Sequence, residues 1–235
     1  MIVIPMAGRS QRFYDAGYDR PKYMLELDGR SVFAHAVGSF AAAFATTPFL
    51  FIAAAEAEDF VRAEARALGV GEFEVVSLSA VTAGQAETVE RGLDAVGWAG
   101  PLTIFNIDTF RPGFAFPAEP LASADGWLEV FRGSGANWSY VKPAPGAEPW
   151  ALETAEKRPI SDLCCTGLYH FARGQDFREA LAAERRRPQA AELYVAPLYN
   201  HLIAEGRRIG WRLIAPDEVV FCGTPAEYEA LGSSP

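Results

Sequence analysis

Apolar residues in the first half of the chain fall into short continuous runs separated by stretches with a helical repeat. IVIP (2–5), PFLFIAAA (48–55), FEVVSL (73–78) and PLTIFNID (101–108) read as strands, whereas 31–44, 58–69 and 86–97 carry apolar residues every three or four positions. Strands apolar on both faces, alternating with helices through short connections, predict a mainly parallel sheet covered by helices on both sides. In such sheets ligands sit at the carboxyl ends of the strands, here the segments after Pro5 and around Asp108.

Beyond Asp108 the runs shorten and are punctuated by Pro and Gly: 126–133, 137–143, 150–156 and 162–171. These predict a mixed or antiparallel extension, a small substrate-side lobe. Helical patterns follow at 176–187 and 196–206, then a strand at 209–215 and a turn and helix at 223–232. Neither a repeat nor a linker interrupts the chain, so a single domain over 1–235 is expected, with halves 1–109 and 110–235 meeting at a soft boundary.

The 235 residues are 50% hydrophobic and 22% charged, which suits a soluble globular core. No apolar run approaches the ~20 residues that span a bilayer, and no basic, apolar leader opens the chain, so a cytoplasmic protein without a membrane partner is expected. The net charge of −9 argues against binding nucleic acid broadly, but not against a small nucleotide held by a few local cations and backbone amides. Cys164, Cys165 and Cys222 fit neither a disulfide framework nor a zinc site and read as buried thiols.

Chemistry concentrates in three places. The connection from Pro5 to Lys22, PMAGRSQRFYDAGYDRPK, is long for a βα loop and combines Gly8 with the cations Arg12 and Lys22, as a polyphosphate cradle requires. An ordinary solvated loop is the alternative. Asp108 ends an apolar run, where a carboxylate needs a hard divalent cation or a helix N-terminus as partner. A third segment, ALETAEKRPISDLCCTGLYHF, holds the adjacent pair Glu156 and Lys157, which reach one ligand only if the strand ends or twists there, as Pro159 permits.

These segments, in this order, resemble the sugar-phosphate nucleotidyltransferase family, stand-alone type, similar to enzymes of capsule and surface-polysaccharide biosynthesis. That family's first loop reads approximately A-G-x-G-T-R with a later P-K, matched here by Ala7, Gly8, Arg12, Pro21 and Lys22; Ser10 stands where glycine is usual and Gln11 where a small hydroxyl residue is usual. The loop AGQAETVERGL supplies Gly84 and Gln85, and EKRPISDLCCTGLY matches E-K followed by T-G-x-Y. The resemblance implies a GT-A-like, Rossmann-related fold, with 1–109 binding nucleotide and 110–235 binding acceptor. It also implies a magnesium-dependent activity of the EC 2.7.7 class: transfer of a nucleoside monophosphate from a nucleoside triphosphate to a phosphorylated acceptor, a sugar 1-phosphate or related metabolite, with release of pyrophosphate.

The implied roles fall to Arg12, Lys22, Asp108 and Lys157 in catalysis, with Asp108 as the Mg²⁺ ligand. Ala7, Gly8, Arg9, Ser10, Gly84 and Gln85 would bind the nucleotide, Gln85 by reading the base edge. Asn106, Glu156, Thr166, Gly167, Tyr169 and Asn200 would bind the acceptor. The second metal-binding aspartate of relatives is replaced by Phe221, leaving Asp217 and Asn200 as the nearest substitutes in sequence. His35, His170 and His201 have no metal-ligand spacing and none reads as a general base. A glycosyltransferase of similar fold and a catalytically silent nucleotide-binding relative are the competing readings; a monomer or simple homo-oligomer is expected.

Overall fold

The computed structural model describes residues 1–146 and 148–232. Its strands are β1 (Ile2–Pro5), β2 (Glu26–Leu27), β3 (Arg30–Ser31), β4 (Phe49–Ala54), β5 (Phe73–Leu78), β6 (Leu102–Phe105), β7 (Thr109–Phe110), β8 (Gly126–Arg132), β9 (Ser139–Pro143), β10 (Ala151–Glu156), β11 (Leu163–Phe171), β12 (Ile209–Leu213) and β13 (Val220–Phe221). The helices are α1 (Gln11–Asp15), α2 (Val32–Gly38), α3 (Glu58–Leu68), α4 (Gln85–Ala95), α5 (Gly174–Arg186), α6 (Leu198–Ala204) and α7 (Pro225–Gly232). Among the described residues no helix is long and apolar enough to cross a membrane.

Contacts divide the chain into two compact units that interleave along the sequence instead of separating at 109/110. The first contains Met1–Val3, Thr82–Ile104 and Phe116–Pro216. Within it β1 pairs in parallel with β6, Ile2 opposite Thr103, and β12 in parallel with β8. β11 runs antiparallel to β8 and β9, and β10 antiparallel to β9. This is the mixed extension expected after Asp108. Its core stacks Phe171 on Tyr199, centroids 4.5 Å apart, and the buried Tyr199 hydroxyl donates to the His170 carbonyl at 2.9 Å.

The second unit contains Ile4–Val81, Phe105–Ala115 and the chain from Asp217 through α7. β4 and β5 pair in parallel from Phe49 opposite Phe73 to Ala54 opposite Leu78. β2 and β3 form a hairpin, and β7 pairs antiparallel with β13. Phe40 packs edge-on to Phe105 at 5.0 Å and to Phe114 at 4.9 Å, beside the buried Phe33, Phe49 and Phe51. The α/β fold class expected from the hydrophobic pattern holds, with a mixed, mainly parallel sheet and helices.

Two expected elements are shorter than their patterns. The helix read over 31–44 stops at Gly38, because the Ser39 hydroxyl donates to the His35 carbonyl and accepts from the Arg111 N–H; a 3₁₀ turn, Ala41–Ala43, follows. The strand read over 101–108 ends at Phe105, so Asp108 lies in the turn before β7. There Thr109 N–H donates to the Asn106 carbonyl at 3.3 Å.

Candidate functional site

In the second unit the chain leaves β1 with Met6 buried, its N–H bonded to the Ile52 carbonyl at 2.8 Å. Ala7 is half-buried, and Gly8 and Arg9 are exposed. The stretch to Lys22 is not all loop, since α1 and a 3₁₀ turn, Lys22–Met24, subdivide it. An aromatic cluster of Phe13, Tyr18 and Tyr228, with centroids 5.5 to 6.3 Å apart, ties it to α7.

Ser10 has the left-handed backbone, φ 49°, that a glycine adopts without strain. Its Oγ accepts the Lys22 N–H at 3.3 Å, drawing the two ends of the segment together. Gln11 opens α1 and donates to Asp15 Oδ1 at 2.7 Å.

The structure brings Lys22 and Asp108 into contact. Lys22 Nζ donates to Asp108 Oδ2 at 2.5 Å, with side chains 20% and 23% exposed. The Asp108 carbonyl accepts the Cys222 N–H at 2.8 Å. Burial, then the neighbouring Asp108 charge, pushes the Cys222 thiol up to about 12, so it stays protonated. A Cβ on Gly223 would lie 3.1 Å from Asp108 Oδ2, a tight contact with the end of that side chain. Arg12 is exposed and forms no ion pair with the described residues.

Phe221 pairs with Thr109, the neighbour of Asp108. Asp217 is exposed in a 3₁₀ turn, Pro216–Glu218. Glu227, which the sequence reading missed, accepts the N–H groups of Gly223 and Thr224, both at 2.9 Å, while its own N–H donates to Thr224 Oγ1. The signal was in the sequence, since Thr224-Pro225-Ala226-Glu227 is a capping box for α7. Among the described residues no three His, Cys, Asp or Glu side chains gather into a metal cage.

A cavity of about 390 Å³ opens beside the segment that follows β1, lined by Gly8, Arg9, Tyr23, Glu56 and Ser79 among others. These lie on the connections that follow β1, β4 and β5, at their carboxyl ends.

The first unit holds the remaining expected residues. Gly84 precedes α4 at φ 151°, ψ 178°, and a Cβ there would lie 2.6 Å from both the N and O of Leu193. Ala86 N–H donates to the Leu193 carbonyl at 2.8 Å and Leu193 N–H to that of Ala83 at 3.0 Å. Gln85 is the first helical residue and half-buried.

β10 ends at Glu156, and Lys157 follows in the left-handed region, φ 53°, which removes the alternation that would send the two side chains to opposite faces. Glu156 Oε2 accepts from the Ser139 hydroxyl, and burial raises its pKa against that hydrogen bond and the Lys157 charge. The Tyr169 hydroxyl donates to Ser139 Oγ at 3.3 Å, so Ser139, unremarked in the sequence, links two expected acceptor residues. Lys157 Nζ donates to the Tyr194 hydroxyl at 2.6 Å, which donates to Glu192 Oε1 at 2.9 Å. The Tyr194 hydrogen bond raises the Lys157 pKa.

Three expected acceptor residues are engaged otherwise. Thr166 is buried, its hydroxyl 3.4 Å from the carbonyl and carboxylate oxygens of Glu129. Gly167, φ 96°, lies within the register shift between Cys165 and Tyr169, so its left-handed backbone serves a bulge in β11. The Asn200 amide is spent on the backbone, accepting Thr154 N–H and donating to Thr154 O, both at 2.8 Å, and donating to Gln189 Oε1 at 2.7 Å. It therefore pins α6 to β10.

Neither a family model nor a curated protein matches this chain. Solved structures do. A nucleoside-diphosphate-sugar pyrophosphorylase from Vibrio cholerae RC9 is 51% identical over all of both chains, TM-score 0.95. The inositol-1-phosphate CTP transferase from T. maritima is 16% identical over 98% of this chain and 93% of its own, TM-score 0.74. A UDP-glucose pyrophosphorylase complexed with UDP-glucose is 13% identical over 98% and 96%, TM-score 0.77; these two share the fold. On the first likeness, the chain belongs to the sugar-phosphate nucleotidyltransferase family, enzymes of the pyrophosphorylase type.

Proposed function

We propose that this protein transfers a nucleoside monophosphate from a nucleoside triphosphate to a small phosphorylated acceptor, a sugar 1-phosphate or close analogue, and releases pyrophosphate. The observation that carries the reading is the Lys22–Asp108 contact at the carboxyl ends of the strands, with the exposed Arg12 on the same connection. Attack by a phosphate oxygen on the α-phosphorus removes no proton from the nucleophile, so charge neutralisation and alignment supply the catalysis. The histidines accord with this. His35 Nε2 lies 2.8 Å from the Leu27 carbonyl, His170 Nδ1 2.9 Å from Thr103 Oγ1, and His201 Nε2 2.8 Å from Glu184 Oε2.

Arg12 would steady the departing pyrophosphate and Lys22 the nucleotide phosphates, exchanging its hold on Asp108 for theirs. The amides of Ala7, Gly8, Arg9 and Ser10 would line the phosphates, with Asn106 beside Asp108 and Gln85 reading the base. In the first unit Lys157 would hold the acceptor phosphate, with Glu156, Ser139 and Tyr169 taking acceptor hydroxyls. Mg²⁺ fits Asp108: among the described residues no three metal-ligating side chains gather, and a carboxylate so placed suits a hard cation whose other ligands are phosphate oxygens and water. When bound it supplies charge neutralisation to those oxygens.

The product would be a nucleotide-activated precursor made in the cytoplasm for capsule or other surface polysaccharide. The test is pyrophosphate release measured across a panel of triphosphates and phosphorylated metabolites, with and without Mg²⁺. Asp108→Ala and Lys22→Ala should each slow turnover by about two orders of magnitude or more while the fold persists. Transfer that yields a free nucleoside diphosphate and no pyrophosphate would refute the assignment.

A further inference from the structure

The cavity beside the segment that follows β1 is asymmetric in charge. Arg9 is the only cation among its lining residues and Glu56 the only anion. Glu56 lies in the 3₁₀ turn Ala55–Ala57 directly after β4, is exposed, and makes no hydrogen bond with the described residues. The neighbouring carboxylate Glu58 differs, taking bonds from both Arg62 and Ser77. Tyr23, only 2% exposed, also lines the cavity with its hydroxyl unbonded by any described residue. Burial, and then the Glu56 charge, raises the Tyr23 pKa, which keeps the phenol protonated as a donor.

A carboxylate repels a polyphosphate, so the part of the nucleotide that meets Glu56 is the uncharged base, with the phosphates toward Gly8 and Arg9. An ionised carboxylate only accepts hydrogen bonds. Uracil and thymine present one donor, N3–H, with a carbonyl oxygen on each side facing the second carboxylate oxygen. Cytosine and adenine present an exocyclic amino group beside a ring nitrogen that a phenol can donate to. Guanine presents two adjacent donors beside O6. A desolvated acceptor facing a carbonyl loses a partner and gains a repulsion.

We propose that Glu56 selects the triphosphate by accepting from an exocyclic amino group, with Tyr23 donating to the adjoining ring nitrogen of cytosine or adenine, or to O6 of guanine, so that CTP, ATP or GTP is used in preference to UTP and dTTP. This rests on the proposed reading of the segment from Ala7 to Lys22 as the place where the nucleotide phosphates bind. The experiment is calorimetric titration of the protein with each of the five triphosphates plus Mg²⁺, paired with pyrophosphate release, for wild type, Glu56→Gln and Glu56→Ala. An amino-bearing triphosphate should bind about tenfold or more tighter than UTP and dTTP. Glu56→Gln, whose carboxamide also donates, should reduce that ratio to about threefold or less; Glu56→Ala should lower affinity for the amino-bearing triphosphate alone. UTP or dTTP binding tightest, or a ranking unchanged in both variants, overturns the proposal while leaving the transferase reading intact. Binding of no triphosphate and no pyrophosphate release would overturn both.

Discussion

Gly84→Ala separates a packing requirement from a ligand requirement at a position that the family resemblance assigns to the nucleotide. At φ 151°, ψ 178° the backbone lies in a region essentially confined to glycine, at a cost of ~1–3 kcal/mol for alanine. The added methyl would also stand 2.6 Å from two backbone atoms of Leu193, well inside contact distance. Relief requires segment 193 to withdraw, which strains two bonds, Ala86 N–H to Leu193 O and Leu193 N–H to Ala83 O, worth ~1 kcal/mol each. The total is about 3–5 kcal/mol, or a fall in Tm of roughly 6–20 °C for a chain of this size. Gly97→Ala is the matched control just beyond the other end of α4: it too has positive φ, 64°, but a Cβ would meet nothing within 4 Å, so only ~1 kcal/mol is expected. Thermal and urea unfolding of both variants, followed by circular dichroism, makes the comparison. Equal losses in the two would show that contact with Leu193 does not constrain the helix start.

Other expectations concern charge and polar groups. Burial lowers the His170 pKa to about 4, so its neutral ring contributes stability present above its ordinary value near 6.5 and lost as pH falls toward 4. Urea midpoints should fall between pH 7 and 4.5 by the equivalent of up to ~3 kcal/mol, and His170→Gln should flatten that slope. Asn200→Ala strips partners from both backbone groups of the buried Thr154 and should cost about 2–4 kcal/mol in unfolding experiments without changing acceptor KM; a rise in KM at unchanged stability would return Asn200 to the acceptor. Arg12→Ala should leave Tm within about 1 °C, since the side chain is exposed and forms no ion pair with the described residues, and slow pyrophosphate release by about tenfold or more. Unchanged turnover would remove Arg12 from the reaction.

Much of the candidate site stands out in the sequence because its residues lie on connections whose composition departs from that of ordinary loops. The cations Arg12 and Lys22, with Gly8, stand out after a buried strand, and Asp108 after another. The Glu156–Lys157 pair was legible as a pair, but its geometry was not. Adjacent residues on a strand diverge, and only the left-handed φ of Lys157 at the strand end relieves that. Thr166 and Gly167 were recognisable as a motif, although one is buried against Glu129 and the other shapes a bulge, roles that share a sequence with ligand contacts.

The order of apolar runs suffices for the fold class, because period and run length report which faces are buried irrespective of long-range contacts. Local chemistry suffices for the capping box at Thr224–Glu227 and for buried, unpaired cysteines. Pairings between distant residues are another matter: Lys22 and Asp108 are 86 positions apart, and Ser139 with Glu156 and Tyr169 spans strands that meet only after the sheet registers. No local pattern encodes which strand lies beside which, since that depends on how whole elements bury their apolar faces together. The same packing decided that the Asn200 amide serves the backbone of Thr154 and that Glu56 faces a cavity.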